Sequence, residues 1–152
     1  MFNNKYMHLA LELAKHAKQL GEVPVGAVII DKHHNILAQG FNEIEKTKNP
    51  LAHAELIAIE KACLNIGSKF LIDCSIYVSL EPCSMCAAAI SLARISKLYF
   101  GAYDLKSGGV EYGTRFFNSS SCHHRPEIYA GILEQESKEL LKGFFKEFRR
   151  EE

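Results

Sequence analysis

A chain of 152 residues, 47% of them hydrophobic, has the length of one ordinary domain and enough apolar side chain for a core, so residues 1–152 are expected to form a single domain. Its 18 basic and 18 acidic residues cancel, which excludes a global pull toward polyanions and confines any phosphate-binding surface to a local patch. No apolar run approaches the roughly 20 residues of a membrane span, and the polar start Met1–Lys5 does not resemble an export signal, so a soluble cytoplasmic protein without a membrane partner is expected.

Met7, Ala10, Leu11, Ala14 and Ala17 recur at three- and four-residue steps, which predicts a helix over Tyr6–Leu20, stopped by Gly21. Val25–Asp31 is a β-branched run, Lys32–Asn35 is turn material and Ile36–Asn42 is extended again, so the pair reads as a hairpin. Past the Asn49-Pro50 turn, Leu56, Ile59, Ala62 and Cys63 give His53–Ile66 a helical period, with Gly67 as its stop. Ser75–Leu80 reads as a buried strand, Cys83–Ala93 as a helix opened by Pro82 at its first position, and Lys97–Gly101 as another strand. Tyr103–Arg125 is rich in Gly, Ser and Asn without a period, and so long a loop in a compact domain is a candidate lid or substrate loop. Beyond Pro126, an extended piece at Glu127–Ala130 leads into a last helix. That helix has Glu134 and Glu136 in its first turn and Arg149 and Arg150 in its last, the charge order the helix dipole favours. Leu141, Phe144, Phe145 and Phe148 form its apolar stripe, expected to be core, while Lys138, Lys142, Lys146 and Arg150 recur every fourth residue on another face. Helices alternating with strands after an opening hairpin predict an α/β fold, a mixed sheet covered on both faces.

Five cysteines, Cys63, Cys74, Cys83, Cys86 and Cys122, form an odd set without an export signal and point to metal ligation and burial rather than a disulfide framework. Cys83-Ser84-Met85-Cys86 puts two sulfurs one helical turn apart at a helix start, where the dipole favours thiolates. Alone, that pair suits a redox dithiol or half of a structural zinc knuckle equally well. His53-Ala54-Glu55 adds a ligand-type histidine beside a carboxylate at a second helix start, and two helix starts meeting end-on would gather His53, Glu55, Cys83 and Cys86. Three protein ligands leave one tetrahedral position for a water whose pKa falls to about 7, which is a hydrolytic site. A structural zinc would draw a fourth ligand from Cys63, Cys74, Cys122, His123 or His124, but gives Glu55 no reason to stand beside His53. Cys122-His123-His124 is read as local hydrogen bonding or packing rather than a second metal site.

His53-Ala54-Glu55 with Pro82-Cys83-Ser84-Met85-Cys86 resembles the signature of the cytidine and deoxycytidylate deaminase superfamily. The resemblance implies one Zn2+ per subunit on His53, Cys83 and Cys86, with Glu55 as a non-ligand that moves protons from water to the ring nitrogen and the departing ammonia. Glu22-Val23-Pro24-Val25-Gly26-Ala27-Val28, Gly40-Phe41-Asn42, Leu80-Glu81-Pro82-Cys83 and Phe100–Gly108 together resemble the bacterial tRNA-specific adenosine deaminases, which convert a wobble adenosine to inosine. That implies a three-layer α/β/α cytidine-deaminase-like fold with a mixed sheet of about five strands, a homodimer, and a tRNA anticodon loop as partner, its target base turned out into the pocket.

Carried onto matching positions, Asn42 hydrogen-bonds the purine edge, Val25 packs on the base, Asp104 and Lys106 touch neighbouring nucleotides, and Arg149-Arg150 form an RNA-gripping tail. Plain strand packing for Val25 and solvated loop charge for Asp104 and Lys106 are the simpler alternatives. Gly109–Phe117 departs from the Gly-Ser-Leu-Met pattern of the family. The alternative function is a deaminase of a free base or nucleotide, guanine, a cytosine nucleoside or deoxycytidylate, with the same zinc centre. A non-catalytic zinc- or RNA-binding module is opposed by the presence of Glu55.

Overall fold

The computed structural model describes residues 4–148. Helix α1 (Lys5–Gln19) buries the predicted stripe together with Tyr6, and the chain turns out of it through Gly21 at φ +80°, a left-handed conformation that a residue without Cβ adopts at no steric cost. There follow β1 (Gly26–Ile30), β2 (Ile36–Phe41), α2 (Ile44–Thr47), α3 (Ala54–Ile66), β3 (Ser75–Leu80), α4 (Ser84–Leu92), β4 (Lys97–Ala102), a 3-10 turn at Phe116–Asn118, β5 (Glu127–Tyr129) and α5 (Glu134–Phe148). The strands form one five-stranded sheet in the order β2-β1-β3-β4-β5. β1 pairs antiparallel with β2 and β3, and β3–β4–β5 run parallel, so the expected mixed α/β sheet is the one the chain forms. No helix among the described residues is long and apolar enough to cross a membrane.

β1 is buried at all five positions because its side chains alternate between two cores. Ala27 and Ile29 face the side covered by α3 and α4, where Ala54, Ala58, Ala62, Ala87 and Ile90 pack with Ile76, Val78, Leu98 and Phe100. Val28 and Ile30 face α1, packing with Tyr6, Met7, Ala10 and Tyr77. On that second face α5 joins α1, and Ser137 donates a buried hydrogen bond to the Ser79 carbonyl of β3.

Small residues set how close α3 comes to the sheet. A Cβ added to Gly40 of β2 would lie 2.6 Å from the Ala54 carbonyl oxygen and 3.1 Å from the Ala58 nitrogen. Gly40→Ala therefore pushes the first turns of α3 off the sheet, at an expected cost of about 1–3 kcal/mol, the range of core overpacking. Thermal unfolding measures it, and an unchanged Tm would mean that α3 yields freely.

Three features differ from expectation. Phe144 is buried, but Phe145 and Phe148 are 41% and 37% exposed, so the four-residue stripe of α5 is not wholly core. Leu141 and Phe145 instead line a groove with Lys138, Lys142 and Lys146 beside Ala102 and Tyr103. The reason is helical geometry: the lysine row lies one residue, about 100°, from the Leu141/Phe145 row, so one edge groove takes both. Arg149 and Arg150 lie outside the described residues. Pro82 is not the first helical residue of α4 but stands before its N-cap, Cys83, and its carbonyl accepts the Gly109 N–H at 2.8 Å. Finally, α2 has only four residues, too few to display a period.

Candidate active site

The site is assembled where β2 and β3 deliver the chain to the starts of α3 and α4. Asn42, just past β2, is buried; its Nδ2 donates to the Val23 carbonyl at 3.0 Å and its Oδ1 accepts the Ala54 N–H at 2.9 Å. Those partners fix which end of the carboxamide is which. Ala54 opens α3, whose N-cap His53 makes no side-chain capping bond, so Asn42 satisfies an orphan helix N–H from another element and leaves the His53 ring free.

His53 itself has extended backbone, φ −76° and ψ 149°, while Glu55 is already helical. The near-opposite directions that a regular helix imposes on positions i and i+2 therefore do not apply here. Cys83 is likewise an extended N-cap, at φ −71° and ψ 175°, with Cys86 one turn inside α4.

The His53 Nδ1 lies 3.7 Å from the Cys83 Sγ and 3.6 Å from the Cys86 Sγ, and the three donor atoms fall within 4.8 Å of one another. Tetrahedral zinc with its usual bond lengths separates nitrogen and sulfur by about 3.6 Å, so both nitrogen–sulfur distances suit that ion. The Cys83 thiol is held down to about 4, first by hydrogen bonding with Cys86 and then by His53. The same bond, together with burial, pushes the Cys86 thiol up, and the bond to Cys83 is the main cause that raises His53. Protons thus shared between sulfurs and imidazole are the ones a divalent cation replaces.

Glu55 is 4% exposed, and burial raises its carboxyl to about 7. It faces a cavity of about 180 Å³ at the carboxyl ends of β3 and β4, bounded by Val25, Asn42, Ile44, His53, Cys83 and Asp104. Typical small-molecule pockets hold about 300–1,000 Å³, so this one takes a single ring system and leaves attached groups outside. Cys86 lies behind the wall, fully buried.

Residues 2–102 match the cytidine and deoxycytidylate deaminase zinc-binding region. The chain belongs to the cytidine and deoxycytidylate deaminase family. A tRNA-specific adenosine deaminase of Rickettsia bellii is 52% identical over 94% of this deaminase and 99% of its own length. A solved structure from studies of A-to-I editing by tRNA:A34 deaminases at the wobble position superposes with a TM-score of 0.89 and 45% identity, covering 91% of this chain and all of that one. Guanine deaminase from Bacillus subtilis superposes less closely, with a TM-score of 0.66 and 29% identity over 99% of this chain and 95% of that one. The family and the donor set agree on the cofactor: zinc, one ion per chain, for which His53, Cys83 and Cys86 are the suited group.

Of the substrate-side residues read from motifs, Val25, Asn42 and Asp104 line the cavity of the deaminase, whereas Lys106 is exposed and is not part of the lining. The Oδ1 of Asp104 is engaged in its own loop, accepting the N–H groups of Lys106 at 3.2 Å and Ser107 at 2.9 Å. Cys122 and His124 take part in local bonding: the Cys122 Sγ lies 3.1 Å from the His124 carbonyl, and the His124 Nε2 lies 2.8 Å from the Ile95 carbonyl. Among the described residues the metal-binding group consists of His53, Cys83 and Cys86.

Two buried glutamates escape sequence reasoning. Glu22, 1% exposed, accepts the N–H groups of Glu45 at 3.1 Å and Lys46 at 3.0 Å, fixing α2 and with it the Ile44 wall of the cavity. Glu81, 2% exposed, gathers four N–H groups of the loop after β4. Both residues stand within the quoted motifs, but period analysis assigns a charged residue beside a strand to solvent.

Proposed function

We propose that this chain is a zinc-dependent tRNA adenosine deaminase that converts a wobble-position adenosine to inosine. The observation that carries the reading is the cavity, sized for a single ring system, floored by His53, Cys83 and Glu55 and walled by Asn42 and Val25. Its small volume suits a base turned out of an anticodon loop, with sugar and neighbouring nucleotides left outside. The relatives named for that activity and the lysine-lined groove of α5 support the RNA substrate.

Bound zinc supplies Lewis acidity that makes a water nucleophilic near neutral pH. The remaining work falls to the chain. Val25 packs on the base, and the second Nδ2 hydrogen of Asn42, its first being held by Val23, reaches the purine edge. The Glu55 carboxylate takes the proton released by the attacking water. It delivers that proton to the ring nitrogen, then takes the second proton from the hydroxyl now on the ring carbon and passes it to the amino group, so that the C–N bond breaks, ammonia leaves and the carbonyl of inosine forms. A carboxyl raised to about 7 both accepts and releases protons at neutral pH.

On the same basis we assign one deaminase domain to the chain, a homodimer and a cytoplasmic location. Leu64 of α3 and Leu92 of α4, 78% and 77% exposed, are apolar side chains that a second copy would cover. Asp104 and Lys106 then touch the nucleotides flanking the target, and Arg149-Arg150 grip the RNA.

An anticodon stem-loop with adenosine at the wobble position, compared with the guanosine version and with free adenosine, guanine and deoxycytidylate, tests the reading. Inosine is expected in the first RNA alone. Turnover of a free compound with no inosine in RNA would replace the reading with the small-molecule alternative.

A further inference from the structure

Glu81 stands between β3 and the Pro82-Cys83 start of α4. Its Oε1 accepts the Asp104 N–H at 3.0 Å, and its Oε2 accepts those of Val110 at 3.1 Å, Glu111 at 2.9 Å and Tyr112 at 3.1 Å. The loop has no strand partner for these groups, so one buried carboxylate does for it what a ladder does for a sheet. A carboxylate offers about four acceptor sites, and four donors already occupy this one.

The loop is drawn in tightly around it. A Cβ added to Gly108 would lie 2.5 Å from the Glu81 Oε2 and 2.5 Å from the Asp104 carbonyl oxygen. The same loop is latched to the turn that carries Cys83, through Gly109 N–H to the Pro82 carbonyl at 2.8 Å and through the Ser84 and Thr114 hydroxyls at 2.7 Å. Asp104 and Ser107, which the clamp places, form part of the cavity wall.

We propose that Glu81 is a positioning residue: it holds the Asp104–Tyr112 loop as the outer wall of the base cavity, sets how the flanking polynucleotide is gripped, and transfers no proton. The substrate half of this proposal rests on the tRNA reading above; the loop half does not. In Glu81→Gln an N–H of the carboxamide meets an N–H of the loop, and in Gly108→Ala the loop is forced off an intact Glu81.

Amide hydrogen exchange reads the loop directly. In both variants the amides of Asp104, Val110, Glu111 and Tyr112 are expected to exchange roughly ten- to a hundred-fold faster, the equivalent of one lost charge-assisted hydrogen bond, while β3 amides are unchanged. Zinc stays at one per chain. On the stem-loop, KM is expected to rise roughly ten-fold, with a smaller fall in kcat and a pH profile of unaltered shape.

Unchanged exchange in the variants would overturn the clamp, and faster exchange with unchanged KM would overturn its role in substrate handling. Loss of a limb of the pH profile in Glu81→Gln would make Glu81 a proton carrier instead. Should Glu81→Gln not fold, Gly108→Ala carries the same measurements. A wild-type enzyme that leaves the stem-loop unedited defeats the tRNA reading, while exchange still decides whether Glu81 holds the loop.

Discussion

Glu55→Ala is expected to retain zinc at one ion per chain and to lose deamination by about four orders of magnitude, the upper end for a group that serves as both base and acid. Zinc is retained because the donor atoms come from His53, Cys83 and Cys86, which sit on the extended residue before α3 and at the start of α4. Activity is lost because the other carboxylates lining the cavity are engaged with loop N–H groups, Glu81 with those of Asp104, Val110, Glu111 and Tyr112 and Asp104 with those of Lys106 and Ser107. Glu55→Gln, which keeps the shape and removes only the titratable proton, should be similarly inactive. Neither variant is expected to unfold the chain, since each removes a group whose burial opposes its ionisation. Metal analysis alongside single-turnover kinetics checks this, and zinc loss in Glu55→Gln would make Glu55 a ligand.

Removal of the metal has the second large effect. Dialysis against a chelator should abolish activity; zinc should restore it and magnesium should not, because two sulfurs and an imidazole are poor partners for a hard, oxygen-seeking ion. Cys86→Ser should weaken zinc binding by more than the roughly 10–100-fold typical of losing a group that merely supports a ligand. The metal-free protein should also melt at lower temperature, since the starts of α3 and α4 lose the ion that binds only the folded arrangement. Cys122→Ser serves as the control, its sulfur being engaged with the His124 carbonyl. Full zinc occupancy and activity in Cys86→Ser would sink the ligand assignment.

Much of the site was legible before folding because metal chemistry restricts both residue type and spacing. Two thiols one turn apart and a histidine beside a carboxylate leave few alternatives, and the structure brings His53, Glu55, Cys83 and Cys86 together. The substrate side was less legible. By resemblance Asn42 is a hydrogen-bonding partner of the purine edge, and it has two partners within the protein besides any it offers a base. Phe145 shows the converse error: a helical period reports which residues share a face but not whether a neighbour covers it.

The sequence by itself determined the helices and strands with strong local period, the stops at Gly21 and Gly67, and which residues form a group suited to a metal, His53, Cys83 and Cys86. These depend on backbone preference and on residues a few positions apart. Only the tertiary structure decided the strand order β2-β1-β3-β4-β5, the extended backbone that turns His53 toward Cys83, and the clamps made by Glu22 and Glu81. Glu81 reaches its four partners across 23 to 31 positions of chain. Whether a buried carboxylate is costly or stabilising depends on those distant N–H groups, which exist as a set only once β3, α4 and the loop are packed together.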